Sequence, residues 1–521
     1  METSLLETFL HRAHQQPEWP VLDFERKRFS AGALAHHVAA FATALSRQGL
    51  RSGDRVALFL ENSPAFVIAY LGTWHAGGVV VLVNTQYRQV ELGHILSDAE
   101  ARVCVTGAEG AAELAPLKAH LPALEWLVTV EPPSAPLPWP TLDFESLLTT
   151  APEPAALSLP RGDQLAVLGY TSGTTGRSKG AMMLHRNLLA NVRAVTEAWR
   201  WTSADRLLLA LPLFHTHGLM VGLHGTLYSG GSVDLRRRFS ASEVLASLHE
   251  DTSLTMFFGV PTMYGRLVEE SRRTGVRSRP LRLLVSGSAP LSPQLFEDVA
   301  ETFGQRILER YGMTETIMNT TNPYEGERRP GTVGMPYPGQ EARVVDVRTR
   351  QPSPDGETGE IEVRGPHVFA GYWRRPEATA EAFDPEGWFR TGDLGQRDPD
   401  GYFRITGRAR ELIISGGFNV YPREVEEVLG QHPGVAEVAV LGLPDPDFGE
   451  QVVAVIVPRP ETPTEAQALV DFCKDRLASF KKPRRVVFVE ALPRNALGKV
   501  QKHVLRERLE AERPASLVKA R

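Results

Sequence analysis

Tyr170-Thr171-Ser172-Gly173-Thr174-Thr175-Gly176-Arg177-Ser178-Lys179-Gly180 is the stretch around which the rest of the chain can be organised. It follows an apolar run at 164–170 and precedes a helix predicted to begin near His185. From Thr171 to Thr175 every residue is a hydroxyl or a glycine, and Lys179 closes the run with a cation. Glycines allow backbone N–H groups to turn inward on an anion. The interleaved hydroxyls add donors, and the ammonium adds a point charge. A merely flexible connection would share the glycines but not this hydroxyl density. The spacing of Gly173, Gly176 and Lys179 differs from the G-x-x-x-x-G-K-[ST] loop of nucleoside triphosphatases, so a phosphate site of another kind is implied.

Outward from this loop, short apolar runs alternate with longer amphipathic segments. Strands are predicted over 55–60, 78–83, 101–105, 164–170, 206–211, 255–259 and 282–286, and helices over 31–48 and 242–248. The runs are rich in Val, Leu, Ile and Phe without alternation, as expected of strands covered on both faces. The fold class is therefore α/β, with layered, largely parallel sheets. After Gly339 the texture changes: short runs at 342–347, 360–364, 388–391 and 402–406 are separated by Pro, Asp and Gly turns. These read as an antiparallel sheet or small barrel appended to the α/β body. Beyond Gly407 a helix at 422–429, strands at 438–443 and 452–457, a helix at 465–477 and a strand at 486–489 form a smaller α+β unit. The expected domains are 1–408 and 409–521, and 131–140 and 151–160 are expected to be loops.

A chain of 521 residues needs more than one hydrophobic core. Its formal net charge of −5 offers no basic footprint for nucleic acid. Cys104 and Cys473 are too few and too far apart for a disulfide framework or a metal site. With an acidic start and no apolar run of about 20 residues, neither a secretory leader nor a membrane span is expected. A cytoplasmic protein is expected.

Further motifs follow in order. Arg310-Tyr311-Gly312-Met313-Thr314-Glu315 comes after an apolar pair, and Gly387-Trp388-Phe389-Arg390-Thr391-Gly392-Asp393 after the texture change. Ile405-Thr406-Gly407-Arg408, Ser415-Gly416-Gly417-Phe418 and Pro493-Arg494-Asn495-Ala496-Leu497-Gly498-Lys499 complete the set. Singly, each has a plain explanation: Thr and Glu favour helix starts, Gly-Asp favours turns, and a lysine is usually solvated. Together with the phosphate loop, in this order over nearly the whole chain, they resemble the adenylate-forming superfamily of acyl-CoA synthetases, adenylation domains and luciferases.

The resemblance implies ATP, Mg²⁺ and coenzyme A as reactants and cofactors. It assigns Thr171, Ser172, Gly173, Thr174, Thr175 and Lys179 to the phosphates, and Ser288, Ala289 and Pro290 to the adenine side. Arg310, Tyr311, Gly312 and Met313 fall to the nucleotide, Thr314 to the α-phosphate, and Glu315 with Thr171 to the metal. Asp393 and Arg408 would bind ribose, Ser415, Gly416 and Gly417 would line the thiol tunnel, and Lys499 would be the catalytic lysine. Arg410 stands where the family places its hinge, usually Asp or Lys. The charge logic agrees, because two anions must meet at one phosphorus, and positioning with charge neutralisation is what that requires.

For the acid, Pro212-Leu213-Phe214-His215-Thr216-His217-Gly218-Leu219 follows a strand where the family lines its acyl pocket, and His215 matches a gate position. The wording of this stretch, of 282–290, of 309–315 and of Asn322-Pro323-Tyr324 is similar to malonyl-CoA synthetases. A dicarboxylate needs a cation for its distal end, for which Arg238 and Arg282 are the candidates. A medium or long fatty acid would instead need an apolar tunnel. A luciferase-like oxygenase shares every motif, and a carrier-protein-loading enzyme would need its carrier on another chain. Lys481, Lys482, Lys502, Arg484 and Arg485 read as a solvated basic face, or as partners for CoA phosphates.

Overall fold

The computed structural model describes residues 4–171, 178–415, 418–446, 448–474, 476–495 and 498–511. The chain forms two compact units. One comprises Met1–Ala342 with Val363–Phe389, the other Arg343–Glu362 with Arg390–Arg521.

The first unit carries two large sheets. In one, the order is Thr141–Asp143, Trp126–Thr129, Ala101–Thr106, Arg55–Phe59, Val79–Leu82, Leu165–Thr171, Lys179–Leu184. All neighbours are parallel except the last pair. The other runs Met335–Pro336, Thr320–Thr321, Leu308–Tyr311, Leu283–Ser286, Met256–Gly259, Arg206–Leu209, Ser232–Leu235, Pro20–Phe24, Lys27–Ser30, parallel in its centre and antiparallel at both edges. The apolar runs are strands because both faces are covered. Val81, Cys104 and Leu168 share one cluster with Leu92, Ile95 and Leu96 of helix Gln89–Asp98. Phe257 and Leu284 share another with Leu267 and Phe296 of the helices Pro261–Thr274 and Pro293–Phe303. Each fully buried side chain of this size contributes about 1.5–3 kcal/mol. The second of these helices is bounded by an Ser292 N-cap and by Gly304 in the left-handed conformation.

The second unit is built on antiparallel pairing. Glu341–Val345, Gly359–Arg364, Phe389–Arg397 and Phe403–Arg408 make a four-stranded sheet. A five-stranded sheet orders Phe418–Val420, Ile413–Ser415, Gly449–Pro458 and Val435–Asp445, with Arg485–Phe488 added parallel to Gly449–Pro458. Helix Pro422–Leu429 buries Val425 and Leu429 in its core beside Val440 and Ala454.

The predicted α/β layers and the antiparallel region are present, with informative differences. The strand Phe389–Arg397 runs well past 391, through Gly392 and a register shift at Leu394/Gly395, because its partner Phe403–Arg408 holds it. The predicted helix at 465–477 is regular only over Ala466–Phe472. Leu469, Cys473 and Leu477, spaced by four, all enter the core, so the burial pattern persists through turns after the helix has ended. Lys179–Leu184 is a strand although Gly, Ala and Met have weak strand preference. Antiparallel pairing with Leu165–Thr171 imposes it. No helix among the described residues is long and apolar enough to cross a membrane.

Candidate active site

In the first unit the motif residues gather at the carboxyl ends of the parallel strands, the general position of ligands in open α/β sheets. Thr171 pairs with Lys179 and Tyr170 with Gly180, so the glycine-rich stretch is the loop of a hairpin. Ser172, Gly173, Thr174 and Thr175 themselves lie outside the described residues. At the hairpin base, Thr171 Oγ1 donates to Glu315 Oε1 at 3.4 Å, and the Tyr372 hydroxyl donates to the same oxygen at 3.0 Å. Glu315 is 5% exposed.

Arg310–Glu315 is not a helix start. It leads from strand Leu308–Tyr311 through a turn, with Thr316 and Ile317 N–H both donating to the Met313 carbonyl, into strand Thr320–Thr321. Gly312 is required there, since a Cβ would lie 1.9 Å from the Ile317 oxygen. Gly169 is required opposite, where a Cβ would meet Thr314 Cγ2 at 2.6 Å. The two glycines thus let the Thr314–Glu315 turn close on the strand leading into the loop. Carboxylate and hydroxyl oxygens suit a hard cation. Among the described residues no group of three or more His, Cys, Asp and Glu could hold a metal ion.

A second cluster lies at the ends of the neighbouring strands. His215 Nδ1 accepts from the His217 backbone N–H at 3.3 Å, and His217 Nδ1 lies 3.4 Å from Ser288 Oγ. Arg310 Nη2 donates to the same Ser288 oxygen at 3.4 Å. Ser288 sits at φ +68°, a strained value for a non-glycine residue and one that clusters at functional sites. Burial, with the nearby Arg310 charge second, pushes His215 down to about 4 and His217 well below its ordinary value. Both are neutral at pH 7. Arg310 is 3% exposed, and desolvation lowers its pKa to about 10. Gly287 makes room for it, since a Cβ there would lie 2.6 Å from Arg310 Nε. Among the described residues Arg310 has no ion pair, and Arg310 Nε and His217 Nε2 have no hydrogen-bond partner. Sequence reasoning gave Arg310 to the nucleotide and missed its place beside the histidines. Its one sequence signal was an arginine directly before the Tyr-Gly turn.

Of the two arginines predicted for the acid, Arg282 is half-buried and Arg238 exposed. Arg282 precedes the amino end of Leu283–Ser286, whereas His217, Ser288 and Arg310 follow carboxyl ends. It forms a two-pronged pair with Asp205 at 2.7 and 3.1 Å and donates to the Trp199 carbonyl. These bonds give it structural work at that end of the strand. Arg238 is exposed in the bend between Ser232–Leu235 and Ala241–Glu250. Ala289 and Pro290 follow Ser288 in the connection to helix Pro293–Phe303.

Within the second unit, Asp393 and Arg408 face each other in register, and Arg408 Nε lies 2.6 Å from Asp393 Oδ1. Asp393 is buried, while the Arg408 side chain is 26% exposed, so the pair is shielded on the carboxylate side. Ser415 is buried at a tight hairpin, paired with Phe418. Gly416 and Gly417 lie outside the described residues. Lys499 is held by its backbone: its N–H donates to Asn495 Oδ1 at 2.9 Å, and its carbonyl accepts from the Asn495 N–H at 2.9 Å. Gly498 takes φ +75° to close this turn.

A phosphate-loop hairpin with a carboxylate at its base, on an α/β body followed by an antiparallel unit bearing a held lysine, defines a nucleotide-dependent acid-activating enzyme. Residues 9–373 match the AMP-binding enzyme family and residues 424–499 the AMP-binding enzyme C-terminal domain, and the chain belongs to this family. A sulfoacetate–CoA ligase of Cupriavidus necator is 38% identical over 94% of this chain and 95% of its own. A malonate–CoA ligase of Arabidopsis thaliana is 36% identical over 89% and 79%. The crystal structure of ATP-bound MatB from Rhodopseudomonas palustris superposes with a TM-score of 0.90 at 40% identity, covering 98% of this chain and 99% of that one. The protein is an AMP-forming acid–thiol ligase that uses ATP, Mg²⁺ and coenzyme A.

Proposed function

We propose that the acid is a short dicarboxylate, malonate first and methylmalonate second, so that the product is malonyl-CoA or its methyl homologue. The observation that carries this reading is Arg310: a buried cation in no ion pair among the described residues, its charge only partly offset by the adjoining Glu309 carboxylate, and flanked by two neutral histidines and Ser288. A buried charge is stable only when something compensates it. A distal carboxylate would supply that compensation and accept the donors grouped there. Malonate is also what one relative is named for. The family's wider range of acids sets the rivals, above all a fatty acid, which would bury Arg310 against methylenes at a cost of several kcal/mol.

In this reading Thr171, Lys179 and the loop 172–175 hold the phosphates of ATP, and Thr314 approaches the α-phosphate. Glu315, with Thr171, would hold Mg²⁺, which when bound neutralises phosphate charge. Arg310 fixes the distal carboxylate, while His215, neutral at pH 7, borders the acid as a gate and carries no charge of its own. The reacting carboxylate attacks the α-phosphorus and pyrophosphate leaves. Lys499 offsets the charge of the two anions as they meet. Asp393 and Arg408 hold the ribose, and Ser288, Ala289 and Pro290 border the adenine side. The thiol of CoA then attacks the acyl-adenylate and AMP leaves, with Ser415, Gly416 and Gly417 lining its approach. The moving body is taken as 409–521, turning about Arg410. The two cysteines are buried and unpaired, which supports a reducing, cytoplasmic setting.

Pyrophosphate release with malonate, methylmalonate, sulfoacetate, acetate and octanoate tests the assignment. Malonate should lead. A sulfonate carries the same single distal charge, and sulfoacetate is expected to be a weaker substrate. Activity on octanoate with none on malonate would overturn the dicarboxylate reading.

A further inference from the structure

Resting on the roles just given to Glu315 and Lys179, we propose that Tyr372 is a positioning residue: it holds the metal-binding carboxylate and the phosphate-loop ammonium apart and oriented until ATP arrives. Its hydroxyl donates to Glu315 Oε1 at 3.0 Å, and its ring centroid lies 5.1 Å from the Lys179 ammonium nitrogen. One side chain therefore contacts both the anion and the cation of the phosphate site.

The backbone fixes this placement. The segment around Tyr372 is zipped onto strand Lys179–Leu184: Ala370 N–H donates to the Met182 carbonyl, Met182 N–H to the Gly371 carbonyl, and Trp373 N–H to the Gly180 carbonyl, at 2.8–2.9 Å. Tyr372 bridges Ala181 across the same ladder. Phe369 N–H donates to the Glu315 carbonyl at 2.8 Å, and its ring meets Tyr372 edge-on at 4.9 Å. The phenol thus moves with the base of the phosphate hairpin and with the Glu315 turn as one piece.

The chemistry explains why a tyrosine suits this position. Ammonium and carboxylate lie against the same side chain, and a Lys179 paired with a carboxylate would have to break that bond to take a phosphate. Among the described residues Lys179 has no carboxylate within 4.0 Å. An aromatic face attracts the ammonium without neutralising it, by about 0.5–2 kcal/mol, weak enough to be exchanged for phosphate oxygen. The hydroxyl, with that of Thr171, falls on one carboxylate oxygen and sets the plane of Glu315. Phenylalanine could supply the packing against Phe369 and the cation–ring contact, but not the hydrogen bond.

The test is magnesium titration of malonate-dependent pyrophosphate release in wild type, Tyr372→Phe, Tyr372→Leu and Glu315→Gln. Tyr372→Phe should raise the Mg²⁺ concentration for half-activation about tenfold, as expected for losing a hydrogen bond to a charged group. Its KM for malonate and its melting temperature should stay near wild type. Tyr372→Leu should add a rise of about tenfold in the KM for ATP, because Lys179 then loses the ring face that orients it. If Glu315→Gln leaves the magnesium curve unmoved, the assignment of Glu315 fails on its own, and this proposal falls with it. If Glu315→Gln shifts the curve while Tyr372→Phe titrates like wild type, the proposal alone is overturned. A Tyr372→Phe protein melting more than about 5 °C below wild type would assign the hydroxyl to packing and also overturn it.

Discussion

Replacing Arg310 with methionine should make the protein more stable and nearly inactive on malonate. Held at about 10 by desolvation rather than above about 12, the guanidinium has lost on the order of 3 kcal/mol of preference for its charged form. Its one side-chain hydrogen bond among the described residues, to Ser288 at 3.4 Å, returns about 1 kcal/mol at most. A flexible apolar side chain of similar length removes the desolvation penalty, leaving a net gain of about 1–2 kcal/mol, within the range seen when buried charges are replaced by apolar groups. The sign holds across the working range. A base whose folded pKa is depressed carries the full penalty at every pH below that pKa, so the gain should be flat between about pH 6 and pH 9. Thermal denaturation should show a melting temperature a few degrees higher without ligand. Malonate kcat/KM should fall by about 10²-fold or more, the usual scale for truncating one partner of a desolvated charge pair, while weak acetate activity should be little changed. Equal malonate activity in the two proteins, or a variant less stable than wild type, would refute the idea that Arg310 is an under-compensated charge awaiting a carboxylate.

Burial holds His185 and His224 at about 3, His215 at about 4 and His367 at about 3. Above about pH 6.5 these rings are neutral whether folded or not. Below it the unfolded chain binds protons the native one refuses, so stability should fall steeply toward pH 4, by up to ~1.4 kcal/mol per pH unit for each histidine. His185→Phe, which keeps an edge-on ring against Trp74, should flatten the pH dependence of melting by one such contribution; an unchanged slope would count against it. Asp393→Asn weakens a shielded pair at 2.6 Å, so the KM for ATP should rise about tenfold while that for malonate holds, and a selective malonate effect would contradict the ribose role. Lys499→Ala should slow adenylate formation by at least about 10²-fold, yet convert supplied malonyl-adenylate to thioester at a near-normal rate; equal loss in both steps would remove its assignment to the first.

Much of this site was legible because its chemistry is written in neighbouring residues. The hydroxyls and glycines after Tyr170 suggest an anion site locally, and the Thr314–Glu315 pair and the Gly-Lys ending at Lys499 gain meaning from following that loop in order. What stayed hidden depends on contacts between distant segments. Tyr372 meets Glu315 across 57 positions, and His217 meets Ser288 across 71. Arg282 looked available because an arginine heading a strand is usually exposed, and its bond to Asp205 spans 77 positions. Arg310 reads in sequence as part of the nucleotide motif, and its burial beside two neutral histidines is visible only in the fold. The fold shows the same division. Apolar runs marked the central strands, while Lys179–Leu184 is a strand only because Leu165–Thr171 pairs with it.

Exchange of labelled pyrophosphate into ATP, with Mg²⁺ and malonate present and CoA withheld, tests the first chemical step without the second. The account requires exchange that depends on malonate and disappears in Arg310→Met. Exchange that proceeds equally well without any acid, or that no acid in the panel can elicit, would contradict it.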